Sequence, residues 1–134
     1  MKVILNKCYG GFHPSHEAYR FYAAKKGLGL YAYELGPDLR CHRAKDLSSR
    51  FLTYFTKDQG DVIDGSREAS WDDHLYLDST YREDPTLIAA VETLGPAASS
   101  YLSKLVVVEI PDGMEYVIDD YDGVETLHQR VEEW

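Results

Sequence analysis

The chain has 134 residues, 23 of them acidic and 14 basic, with a net charge of −9. That length suits one domain able to bury roughly two thirds of its extended surface without cross-links, and only two cysteines, Cys8 and Cys41, fit a reducing compartment. The acid excess opposes nonspecific nucleic-acid binding, which depends on Lys and Arg against phosphate, and no run approaches the roughly 18 apolar residues that a membrane span needs.

The opening MKVIL reads as a β-strand and turns polar too soon for a leader, so a cytoplasmic setting is expected. It stops at NKCYGGF, where Gly10 and Gly11 permit backbone angles other residues resist. A helix follows, with Ser15 as cap, Glu17 in its first turn, Ala18, Phe21 and Tyr22 on one face and Gly27 as the stop. Leu30 to Leu35 is a strand ended by Gly36, Pro37 and Asp38.

Residues 38 to 50 hold the basic cluster Arg40, Cys41, His42, Arg43 and Lys45, and read as a loop or short helix. Phe51 to Thr56, aromatic and β-branched, is a strand. Residues 57 to 72 read as an exposed connection, and His74 to Thr80 has the alternation of a strand. Asp84 as N-cap, Pro85 at the first helical position, the stripe Leu87, Ile88, Val91 and Leu94, and the stop at Gly95 and Pro96 predict a helix over 85–94.

Lys104 to Ile110 is apolar enough to be a central strand, with a turn at Pro111, Asp112 and Gly113. Beyond it Asp122 and Gly123 signal a hairpin between Glu115–Tyr121 and Val124–Arg130, although Val124, Leu127 and Val131 also fit a helical face. The expected fold is therefore α+β: one domain, residues 1–134, two layers, a mostly antiparallel sheet of about five or six strands and two or three helices.

The negative charge is local. Residues 109 to 134 carry nine carboxylates and one Arg, a net −8, whereas residues 1 to 108 carry 14 acids and 13 bases. Apolar residues interleave with these acids, so the charge is expected on folded strands with Asp119 to Glu125 at its centre. Alternation sends Glu115, Asp119 and Tyr121 to one side and Tyr116, Ile118 and Asp120 to the other.

Two stretches, VILNKCYGGF at the start and VVEIPD with YDGVE near the end, together with the helix DPTLIAAVETLG, resemble a family of small, uncharacterised proteins encoded by bacteriophages and prophages. The likeness covers about half the chain, is poor over residues 36 to 80, and departs at 129–134, where QRVEEW stands in place of an HRTW-like ending. It implies a viral or prophage origin, in the cytoplasm of a bacterial host, and no activity.

Several groups invite a chemical reading. The strand-to-helix loop could cradle an anion such as a nucleotide, with Asn6, Lys7, Cys8, Gly10, Gly11 and Ser15 as its ligand-binding residues; its spacing is not that of a P-loop, and a tight turn packing Tyr9 and Phe12 is the plainer alternative. Cys8 with His13 and His16 suggests a thiol nucleophile or zinc, without a fourth ligand or a paired-cysteine motif. Asp72, Asp73 and His74 fit a turn with a charged rim better than an acid-base pair. Tyr31, Tyr33, Tyr54, Tyr76 and Tyr116 fit half-buried sheet positions.

No coherent catalytic set emerges, so the leading expectation is a noncatalytic binding module without a cofactor. Its acidic surface, Asp119, Asp120, Tyr121, Asp122 and Glu125, would engage a basic host protein. A binder of an anionic nucleotide, a small Cys8-dependent enzyme and a homodimer stand as alternatives.

Overall fold

The structure, a computed structural model, describes residues 1–47, 52–63 and 71–131. Phe51, residues 64–70 of the expected connection, and Glu132 to Trp134 lie outside the described residues. In chain order the elements are β1 (Lys2–Asn6), α1 (His16–Lys26), β2 (Tyr31–Leu35), β3 (Cys41–Arg43), β4 (Leu52–Phe55), β5 (Val62–Ile63), β6 (His74–Leu75), α2 (Pro85–Leu94), β7 (Leu105–Glu109), β8 (Tyr116–Tyr121) and β9 (Val124–Gln129). The class is α+β as expected, and the strand pairs among the described residues are all antiparallel. No helix among the described residues is long and apolar enough to cross a membrane.

The chain forms two compact units, residues 1–18 with 77–134, and residues 19–76. In the first, β1 and β7 make a two-stranded ladder with Lys2 opposite Glu109 and Asn6 opposite Leu105. Val3 and Leu5 point to one face, where they pack with Ile110 and with Tyr116, Ile118 and Leu127 of the β8–β9 hairpin. On the other face Ile4 is fully buried and Lys2 reaches Glu92 of α2 at 2.8 Å. Helix α2 has the predicted ends. Asp84 accepts hydrogen bonds from the amides of Thr86 and Leu87, and Gly95 closes the helix at φ 58°.

The terminal segment is a hairpin, not a helix. Asp122 at φ 51° and Gly123 at φ 93° give the two-residue turn with both central residues left-handed, which matches the twist of paired strands.

The second unit holds a five-stranded sheet in the order β5-β3-β2-β4-β6. Its centre is Tyr33, Phe55 and Ile63, and Tyr19 of α1 stacks on Tyr54 with ring centroids 3.8 Å apart. Gly27 at φ 68° ends α1, with Leu28 N–H reaching back to the Ala23 carbonyl.

Four expectations are corrected. Residues 41 to 43 form a strand, because the turn at Gly36 to Arg40 sends the chain back along β2. The connection after β4 contributes β5, whose Ile63 is buried. The expected strand from His74 ends at Leu75, since the Asp78 carboxylate captures the Thr80 amide and starts a 3-10 turn over Ser79–Tyr81. Strand β7 is not central: β1 is its single ladder partner among the described residues, and the five-stranded sheet is built without either.

Candidate functional site

Two stretches singled out in the sequence meet in the first unit: the loop from Asn6 to Gly11 and the turn of the β8–β9 hairpin. A Cβ built on Gly123 would lie 2.5 Å from the Gly11 amide nitrogen and 2.8 Å from that of Gly10, so the two backbones touch where only glycine fits. Gly10 in turn lies against Leu102, whose carbonyl oxygen would be 2.7 Å from an added Cβ.

The loop's donors are directed at the hairpin. Asn6 is fully buried; its side-chain amide donates to the carbonyls of Gly123 at 2.6 Å and Cys8 at 2.7 Å, and its backbone N–H donates to Glu125 Oε1 at 2.8 Å. Its Oδ1 accepts from the Lys104 amide. Lys7 Nζ donates to the Glu125 carbonyl at 2.6 Å, and Gly10 N–H to the Asp122 carbonyl at 3.1 Å. Arg82 completes the set by gripping the Glu125 carboxylate at two points while Nη1 also donates to the Ile4 carbonyl. Phe12 lies against that guanidinium, 5.5 Å from ring centroid to its carbon.

Among the loop's donors the Asn6 backbone amide takes the Glu125 carboxylate, and Lys7 and Gly10 take backbone carbonyls of the hairpin. Of the six candidate ligand residues, Asn6, Lys7 and Gly10 hold the hairpin, and the Gly11 backbone lies against Gly123. Ser15 serves α1, accepting from the Ala18 amide and donating to the Ala97 carbonyl. Cys8 is a half-buried free thiol, and no hydrogen bond joins it to His13 or His16 among the described residues. Among the same residues no group of three or more His, Cys, Asp or Glu is placed to hold a metal ion.

The five candidate partner residues divide. Glu125 is buried, 4% exposed, so it belongs to the hairpin's attachment and not to its surface. Asp120 accepts from the Gly123 amide at 2.7 Å and fixes the turn. Asp119, with its side chain 72% exposed, reaches His128 at 2.8 Å across the hairpin, while Tyr121 and Asp122 are exposed beside it. The outer face of the turn is therefore acidic and aromatic on a backbone pinned from beneath.

Near the hairpin base Tyr116 donates to Glu83 at 2.7 Å; burial, then that carboxylate, pushes its hydroxyl pKa up to about 12. An open groove of about 670 Å³ beside it is lined by Arg82, Arg130, Glu83 and Glu115, with no single charge sign to select a ligand.

In the second unit the basic cluster is answered locally. Arg43 binds Asp58 at 2.5 Å and Asp61 at 3.1 Å, which keeps the Asp58 carboxyl below its usual range, and His42 does the same for Asp38 at 2.9 Å. Trp71, Asp72 and Asp73 form the expected turn; His74 packs between Trp71, Phe55 and Tyr76, and burial lowers its pKa.

Arg82 was not legible as a functional residue, because a lone Arg between two capping aspartates carries no spacing signal. The contact of Gly123 with Gly10 and Gly11 was equally silent, although Gly10–Gly11 and Asp122–Gly123 each announced a turn by itself. No family model matches this chain, and neither a curated protein nor a solved structure matches it.

Proposed function

We propose that this chain is a noncatalytic binding module whose acidic turn, Asp119 to Asp122, engages a basic partner protein. The supporting observation is the pinned turn: Asn6 and Gly10 hold its carbonyls and Asp120 its Gly123 amide, while Asp119, Tyr121 and Asp122 face outward. Charges held in fixed positions steer a complementary surface and set its register without first paying to order a loop. The resemblance to phage and prophage proteins makes a basic host protein in the bacterial cytoplasm the partner of this reading, with the module acting as an accessory that blocks it.

The test keeps the bonds that pin the turn and gives up the exposed Asp119–His128 pair. Asp119→Lys with Asp122→Lys reverses the outer charges and spares Asp120 and Glu125. Titration of a cationic protein of known structure, at low and at physiological ionic strength, is expected to show binding to the native chain that weakens with salt and disappears in the double variant. Binding that ignores both salt and the charge reversal rejects the acidic turn as the contact.

A further inference from the structure

Strand β7 combines a sequence suited to the middle of a sheet with a position at its edge. The hydrogen-bond pattern shows which of its groups are open. Ile4 of β1 donates its N–H to the Arg82 carbonyl at 2.8 Å and accepts from Arg82 Nη1 at 2.9 Å, so both its backbone groups point away from β7. Opposed residues in an antiparallel ladder either exchange both bonds or neither. Val107, opposite Ile4, therefore points its N–H and C=O outward on the far side, and so does Glu109, opposite Lys2. Neither has a backbone partner among the described residues. At the other end of the edge the Leu105 amide is held by Ser99 Oγ at 2.8 Å.

We propose that β7 of one copy pairs antiparallel with β7 of a second copy, joining two β1–β7 ladders into one continuous sheet. An extended strand is the partner that such an edge fits, and one register of self-pairing uses the open groups and no others. With the two-fold axis at Val108, Val107 of each copy exchanges both bonds with Glu109 of the other. Val108 then faces Val108, a β-branched pair suited to the short separation of a non-bonded position. The same register runs the exposed Lys104 of each copy toward Asp112 of the other, a carboxylate that the Met1 ammonium also holds at 2.5 Å. A register centred on Val107 would instead draw on the Leu105 amide that Ser99 holds. Each copy carries −9, so the pairing is weak at low ionic strength and strengthens as salt screens the repulsion. That salt response is opposite in sign to the one expected for the acidic turn, and the two proposals fail separately.

Sedimentation of the full chain across a wide concentration range, with amide exchange read residue by residue, tests it. The expected result is a monomer–dimer equilibrium in which the Val107 and Glu109 amides exchange roughly tenfold more slowly in the concentrated sample. Val107→Pro removes an outward N–H at an edge position and is expected to leave a monomer. Because proline could also unfold the strand, the second arm uses charge alone: Lys104→Asp, which leaves the Met1–Asp112 pair in place, weakens the dimer. A monomer at every concentration overturns the proposal, as does a dimer in which these two amides stay fast or Lys104→Asp has no effect. Protection that appears only when a foreign strand-forming peptide is added, with the chain still monomeric, also overturns self-pairing.

Discussion

Glu125 and Arg82 form a two-point ion pair inside the fold, Nη2 to Oε2 at 2.9 Å and Nη1 to Oε1 at 3.1 Å, with side chains only 6% and 13% exposed. The carboxylate also holds the Asn6 amide, so removing it strands a buried guanidinium and a backbone donor together. Glu125→Ala is expected to cost about 3–5 kcal/mol, whereas Asp119→Asn on the exposed face should stay within about 0.5 kcal/mol. Urea unfolding of the two variants decides: equal losses would remove Glu125 from its place as the hairpin's anchor.

Gly123 makes a second prediction because its conformation and its contact can be separated. Gly113 also has a positive φ, 77°, but a Cβ there meets nothing within 4 Å, while at Gly123 it would strike the Gly10 and Gly11 amides. Gly113→Ala should therefore cost the conformational term alone, about 1–2 kcal/mol, and Gly123→Ala about 1–3 kcal/mol more for the clash. Hydrogen exchange should also quicken at the Gly10 amide in Gly123→Ala only, since that amide is bonded to the displaced turn.

Local chemistry was legible in the sequence and long-range partnership was not. The ends of α2, the Gly27 stop and the Asp122–Gly123 hairpin each follow from residues within four positions of one another, where capping and turn geometry are decided. Strand β3 escaped because a three-residue strand is made by its neighbours β2 and β5 and not by its own polar residues. Glu125 was counted with the acidic surface because charge counting cannot see Arg82, 43 positions away. Nor could the sequence show that the Asn6 side-chain amide reaches the Gly123 carbonyl, 117 positions distant.

The cap of α2 offers a calibrated local test. Asp84 Oδ1 accepts from Thr86 N–H at 2.8 Å and Leu87 N–H at 3.0 Å, two amides the helix cannot satisfy itself. Asp84→Ala should lower stability by about 1 kcal/mol, with Asp84→Ser recovering most of it. Thermal unfolding of the three proteins measures it, and a neutral Ala substitution would mean that the helix is held by its packed face alone.

The last prediction concerns pH and His74. Its ring lies 5.1 Å from Trp71, 5.5 Å from Phe55 and 6.0 Å from Tyr76, centroid to centroid, and burial there disfavours the imidazolium, so its pKa is lowered from 6.5. A group depressed in the folded state contributes stability that is present above its unfolded pKa and lost as pH falls through the folded value, because the unfolded chain takes up the proton more readily. Stability should hold steady from about pH 8 to 7 and decline below about pH 6.5, ahead of the fall caused by Asp38 and Asp58, whose depressed carboxyls act in the acid range. His74→Phe keeps an aromatic ring in the cluster and removes the titration, so its unfolding midpoint should be flat across the interval in which the native chain declines. A native chain equally flat between about pH 7 and 5.5 would show that the His74 ring accepts its proton in place.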